Sequence, residues 1–120
     1  MNRKLRVYVA GPFTAPTRGG VMDNVDRAIR AGEEVDKIQG CSSFVPHCWS
    51  RWDDVCPGGY ERWMEKCFDE LARSDALFVM QGSPGTNREI DFAHSRGIPV
   101  AYTLEELRLW APTLQKGLKP

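Results

Sequence analysis

Residues 76–80, Ala-Leu-Phe-Val-Met, are five apolar residues in a row with no polar alternate. So short a run with no wet side reads as a strand covered on both faces. A strand of that kind needs a layer above it and another below, and the rest of the chain has the material for both. "LRVYVAG" (5–11), "SFVPH" (43–47) and "IPVAY" (98–102) are further strand candidates, separated by charged segments of helical period. Strands alternating with helices imply a parallel sheet with helices on both faces. The expected fold class is therefore α/β: one doubly wound parallel sheet of about four strands, flavodoxin- or Rossmann-like. At 120 residues the whole chain, 1–120, makes a single domain able to bury its own core.

The helical segments follow from spacing. Val25, Ala28, Ile29, Val35 and Ile38 predict an amphipathic helix from Met22 to Gln39, capped by Asp23 or Asn24 and ended by Gly40. Gly32 inside it is unfavourable for a helix and marks close packing. Tyr60, Trp63, Met64, Cys67, Phe68 and Leu71 form the stripe of a second helix. A third runs from Thr86 to Arg96 and stops at Gly97, and "LEELRLW" adds a last turn or two. The segment from Cys48 to Gly59 has no period and reads as a long loop, a class often functional.

Charge and cysteine content narrow the function classes. Lys plus Arg and Asp plus Glu are 16 each, which gives no electrostatic case for a nucleic acid polymer or an anionic membrane. No window approaches the ~20 apolar residues of a membrane span, and the N-terminal stretch lacks the pattern of a secretory leader. The expected location is cytoplasmic. Cys41, Cys48, Cys56 and Cys67 form no C-x-x-C pair, and Cys41/His47/Cys48/Cys56 fits no common metal spacing. Neither metal nor organic cofactor is expected.

In a sheet of this type, ligands bind beyond the carboxyl ends of the strands. The loops after Gly11, after the second strand and around Gly82–Thr86 should therefore share one rim. Ser83, Gly85 and Thr86 precede a helix N-terminus, whose free N–H groups and dipole suit an anion. The competing reading is plain capping by Ser83 or Thr86, with Glu89 closing a capping box. Trp49 and Trp52 either stack on a flat ligand group or cover the sheet edge or a subunit interface. Asp53 and Asp54 read as loop caps or as ligand contacts. His47 and Asp75 read as structural, and His94 as outside the site.

"VYVAGPF" in the first strand and "SPGTNREI" after the third, followed by "GIPV", resemble the nucleoside 2-deoxyribosyltransferase superfamily. That group includes base-exchanging transferases and nucleoside 5′-monophosphate N-hydrolases. The resemblance spans roughly residues 5 to 102. It implies an enzyme that cleaves an N-glycosidic bond, with Glu89 as the nucleophile and Tyr8 orienting it. It places Gly11, Pro12, Phe13, Ser83, Gly85 and Thr86 around the substrate, with sugar separating a phosphate at the loop from the carboxylate. Ser83 stands where the transferases carry aspartate and the monophosphate hydrolases carry serine, which favours a nucleoside 5′-monophosphate. The chain departs from the pattern twice: Cys67 replaces an aspartate, and Thr14 replaces an arginine for which Arg18 is a substitute. Either Asp53 or Asp54 then supplies the missing acid or the protein binds without turnover, and Asp69, which reads first as a solvated charge, is a further candidate for the site. The resemblance also implies a homo-oligomer, a dimer or larger. The alternatives are deoxyribosyl transfer between bases and a nucleotide-binding module without turnover.

Overall fold

A computed structural model of the chain describes residues 3–118. It has four parallel strands, β1 (Leu5–Ala10), β2 (Cys41–Phe44), β3 (Ala76–Val79) and β4 (Val100–Ala101), in the order β2-β1-β3-β4. The helices are α1 (Arg18–Asp36), α2 (Ser50–Val55), α3 (Gly59–Leu71), α4 (Pro84–Ser95) and α5 (Leu104–Lys116), with a 3₁₀ turn at Pro46–Trp49. This is the expected doubly wound α/β sheet.

Strand alternation divides the core into two. Val7 and Val9 point to one face, with Phe78, and meet Val35 of α1 and Leu107 and Ala111 of α5. Tyr8 and Ala10 point to the other, with Leu77 and Val79, and meet Trp63, Met64, Cys67 and Leu71 of α3 and Ala93 of α4. The period of two along β1 therefore decides that Tyr8 faces α3 and α4.

Several boundaries differ from the sequence expectation. Helix α1 begins at Arg18, before Met22, because Thr17 accepts a hydrogen bond from the Gly20 N–H and acts as the cap. Asn24 is inside the helix, and its amide donates to the Phe13 carbonyl at 3.1 Å, pinning the loop after β1. The expected loop 48–59 contains α2, a six-residue helix without a buried residue and so without an apolar period to read. Helix α5 runs on to Lys116 because Pro112 lies on its exposed side while Leu107 and Ala111 are buried. Gly40 and Gly97 follow α1 and α4 at φ +82° and +69°, the left-handed region that glycine enters freely. A Cβ on Gly32 would lie 2.6 Å from Val45 Cγ2, so α1 does pack closely there.

Candidate active site

The chain leaves β1 for β2 on one side and returns past β1 to β3 on the other. The carboxyl ends of β1 and β3 are thus the point where the winding direction reverses. A pocket of about 410 Å³ opens there. Gly11, Pro12 and Phe13 after β1, His47 and Asp53 after β2, and Ser83, Gly85, Thr86 and Glu89 after β3 all line it. The three loops share one rim, as the strand order requires.

Glu89 is only 6% exposed, although it is a carboxylate on a helix. It sits on the inner side of α4 with Thr86 and Ala93, three and four residues away. The hydroxyl of Tyr8, fully buried on β1, donates to Glu89 Oε2. Burial pushes the Glu89 carboxyl up to about 7, and the Tyr8 hydrogen bond works against that rise. Burial, and next the neighbouring Glu89 charge, hold the Tyr8 phenol well above its usual range, so it serves as a donor and not as a base. The Cys67 thiol also lines the pocket and is pushed by burial up to about 12, which makes it an inert neutral group.

The α4 N-terminus is more committed than its sequence suggests. Ser83 is the cap: its Oγ accepts from the Thr86 N–H at 3.1 Å and donates to Thr86 Oγ1 at 2.9 Å. The Asn87 N–H goes to the Ser83 carbonyl, and Pro84 has no N–H. Of the first four positions only Gly85 keeps its N–H for a ligand. A capping box closed by Glu89 does not form, because that carboxylate turns to Tyr8.

His47 is 2% exposed and lines the pocket. Its Nε2–H donates to the carbonyls of Gly11 (3.2 Å) and Pro12 (3.0 Å), which fixes the turn out of β1. Nδ1 is then an unprotonated acceptor, buried without a partner among the described residues. Burial lowers the ring's pKa against the pull of those two carbonyls.

Four candidates lie elsewhere. Arg18 does not line the pocket, and Asp54 holds it in a two-pronged ion pair at 2.5 and 2.6 Å. Trp49 and Trp52 pack on Trp63 behind the pocket wall, at ring separations of 6.1 and 6.5 Å, with Lys66 against both. Asp69 is exposed and pairs with Arg73 one turn on. Asp75 binds Arg3 and the Arg6 N–H near the opposite end of β1, a structural role as expected. His94 is exposed.

Trp63, Met64 and Cys67 also line the pocket. Their spacing marks the α3 stripe that packs on the sheet. The same stripe reaches past the strand ends and becomes a wall. Phe13 stacks on Trp63 at 4.4 Å, giving that wall a flat aromatic surface.

Among the described residues no three His, Cys, Asp or Glu side chains cluster to hold a metal, and no helix is long and apolar enough to cross a membrane. Comparisons with protein-family models, with curated proteins and with solved structures gave no match.

Proposed function

We propose that the chain is an N-glycosidase that cleaves the base–sugar bond of a nucleoside 5′-monophosphate. The observation that carries this reading is the buried Tyr8–Glu89 pair at an apolar pocket lined by aromatic rings. A carboxylate held there by one hydrogen bond keeps a second oxygen, Oε1, for reaction. Attack of Oε1 on the anomeric carbon forms a C–O bond as the C–N bond breaks, through an oxocarbenium-like transition state. The bonding electrons leave with the base, which takes up a proton from solvent. Water then adds to the anomeric carbon, breaks the C–Oε1 bond to restore the carboxylate and returns a proton to solvent, so one water is divided between sugar and base. The 5′ end lies toward Gly85 and the α4 N-terminus, one helical turn from Glu89, so the sugar spans the gap between phosphate and nucleophile.

A second reading has its own support. Among the described residues no lysine or arginine lines the pocket, while two carboxylates do. A doubly charged phosphate finds no counter-ion there, which favours an uncharged nucleoside and transfer of its deoxyribose to a second base. A homo-oligomer accompanies either reading, and size-exclusion chromatography with light scattering tests it.

The deciding experiment is chromatography of base released from ribo- and deoxyribonucleosides, with and without the 5′-phosphate, by wild type and Glu89→Ala. Release by wild type that is lost in the variant supports the glycosidase, and the preferred series identifies the substrate. An exchanged nucleoside on adding a second base points to transfer. A panel left intact by wild type overturns both readings in favour of a binding module.

A further inference from the structure

Asp53 is the second carboxylate in the pocket, and the glycosidic chemistry described above does not use it. It lies on α2, where consecutive side chains project about 100° apart. Its neighbour Asp54 does not line the cavity and is held by Arg18, at 2.5 and 2.6 Å. With α2 held at that rotation, Asp53 lines the cavity. Among the described residues it makes no side-chain hydrogen bond and no ion pair, and no cationic side chain lines the cavity with it.

The topology separates Asp53 from Glu89. Helix α2 follows β2 and α4 follows β3, and β1 lies between those two strands. With strands spaced about 4.8 Å apart, β2 and β3 stand roughly 10 Å from each other, so the two carboxylates approach the cavity from opposite flanks. A nucleoside with its anomeric carbon at Glu89 extends its base toward Asp53, alongside the Phe13–Trp63 surface.

We propose that Asp53 is a specificity-determining residue that selects a base carrying an exocyclic amine on the edge it presents. This rests on the glycosidase reading of the pocket. Carboxylate oxygens accept hydrogen bonds, and this pair has no donor among the described residues, so the ligand must supply the N–H. Adenine and cytosine do so with their amino groups. Hypoxanthine and uracil carry a carbonyl oxygen at that position and their N–H on the adjacent ring nitrogen, so a carboxylate placed for the amino group meets an acceptor there and the donor is displaced from it. Discrimination then comes from repulsion of the oxo base as well as attraction of the amino base.

The test uses Glu89→Gln protein, so that ligands stay intact, and follows quenching of tryptophan fluorescence from the Trp63 wall. The matched pairs are adenosine against inosine and cytidine against uridine, each as nucleoside and as 5′-monophosphate. The expected result is tighter binding of the amino member of each pair by about tenfold or more, as for a hydrogen bond to a charged group. Adding Asp53→Asn should collapse that preference, because an amide offers a donor as well as an acceptor. Equal affinities within each pair, or a preference that survives Asp53→Asn, would overturn the proposal. Failure of every compound to bind would overturn it together with the glycosidase reading. Wild-type base release separates the two ideas: release without amine preference sinks only the role of Asp53, whereas selective binding without release sinks only the glycosidase.

Discussion

Tyr8 and Glu89, 81 residues apart in sequence, meet in a buried hydrogen bond because β1 and α4 flank the same strand end. Burying the Glu89 carboxylate has a measurable cost. The Glu89 carboxyl rises from 4.5 to about 7 on folding, so the folded state binds this proton more tightly than the unfolded state. Stability from this group is full below pH 4.5 and is lost as pH rises toward 7. The gap between 4.5 and about 7 corresponds to about 3 kcal/mol. Glu89→Gln should therefore be more stable than wild type by up to that amount at pH 8 and indistinguishable from it at pH 4. Urea unfolding at both values measures this. The same variant should lose base release, since an amide is no nucleophile.

The pH dependence of turnover should report the same group. If ionised Glu89 attacks, the rate climbs with pH through about 7. Tyr8 opposes the upward push of burial on that carboxyl, so Tyr8→Phe should move the rising limb to higher pH. At neutral pH the variant should be slower by roughly ten- to a hundredfold, the worth of a hydrogen bond to a charged group. A pH–rate profile with an unmoved limb would count against Glu89 as the titrating nucleophile.

Burial set what was legible in the sequence. β1 and β3 are buried on both faces and show it as apolar runs, and the α3 stripe likewise reads directly. Glu89 and Tyr8 were candidates through the motifs around them, because no apolar period marks a carboxylate as buried. Helix α2 leaves no trace in the sequence, since none of its residues is buried, and the true start of α1 is hidden because Gly19 and Gly20 after Thr17 resemble a loop. The direction of Arg18 was not readable either. A long side chain goes where its counter-ion is, and Asp54 lies 36 residues away. His47 carried no local signal beyond its place after β2, because its partners are backbone carbonyls that no side-chain pattern announces.

Gly32 offers a stability test away from the chemistry. Alanine is the better helix former by up to about 1 kcal/mol. A Cβ at this position would nevertheless lie 2.6 Å from Val45 Cγ2 and 3.2 Å from Ser43 Oγ. Valine is β-branched and stiff, so the contact is relieved only by moving α1 off the sheet. Gly32→Ala should lose about 1–3 kcal/mol of stability in denaturant melts, the usual cost of overpacking. Gly19→Ala, with open space around its Cβ, should be neutral or stabilising.

His47 should give stability a pH dependence opposite in sign to that of Glu89. Its folded pKa lies below the ordinary 6.5, because burial disfavours the imidazolium more than the Gly11 and Pro12 carbonyls favour it. Protonation would also place a donor on Nδ1, which has no partner. Between the lowered value and 6.5 the unfolded chain binds more protons than the folded one, so stability falls as pH drops through that window and is full above 6.5. Replacing the ring with a neutral side chain that keeps the Nε2–H donor's role, as in His47→Gln, should remove this sensitivity. Thermal melts at pH 5.5 and 7.5 should show wild type losing its advantage over the variant at the lower value. A constant difference between the two proteins would mean that His47 contributes no pH dependence to stability between those values.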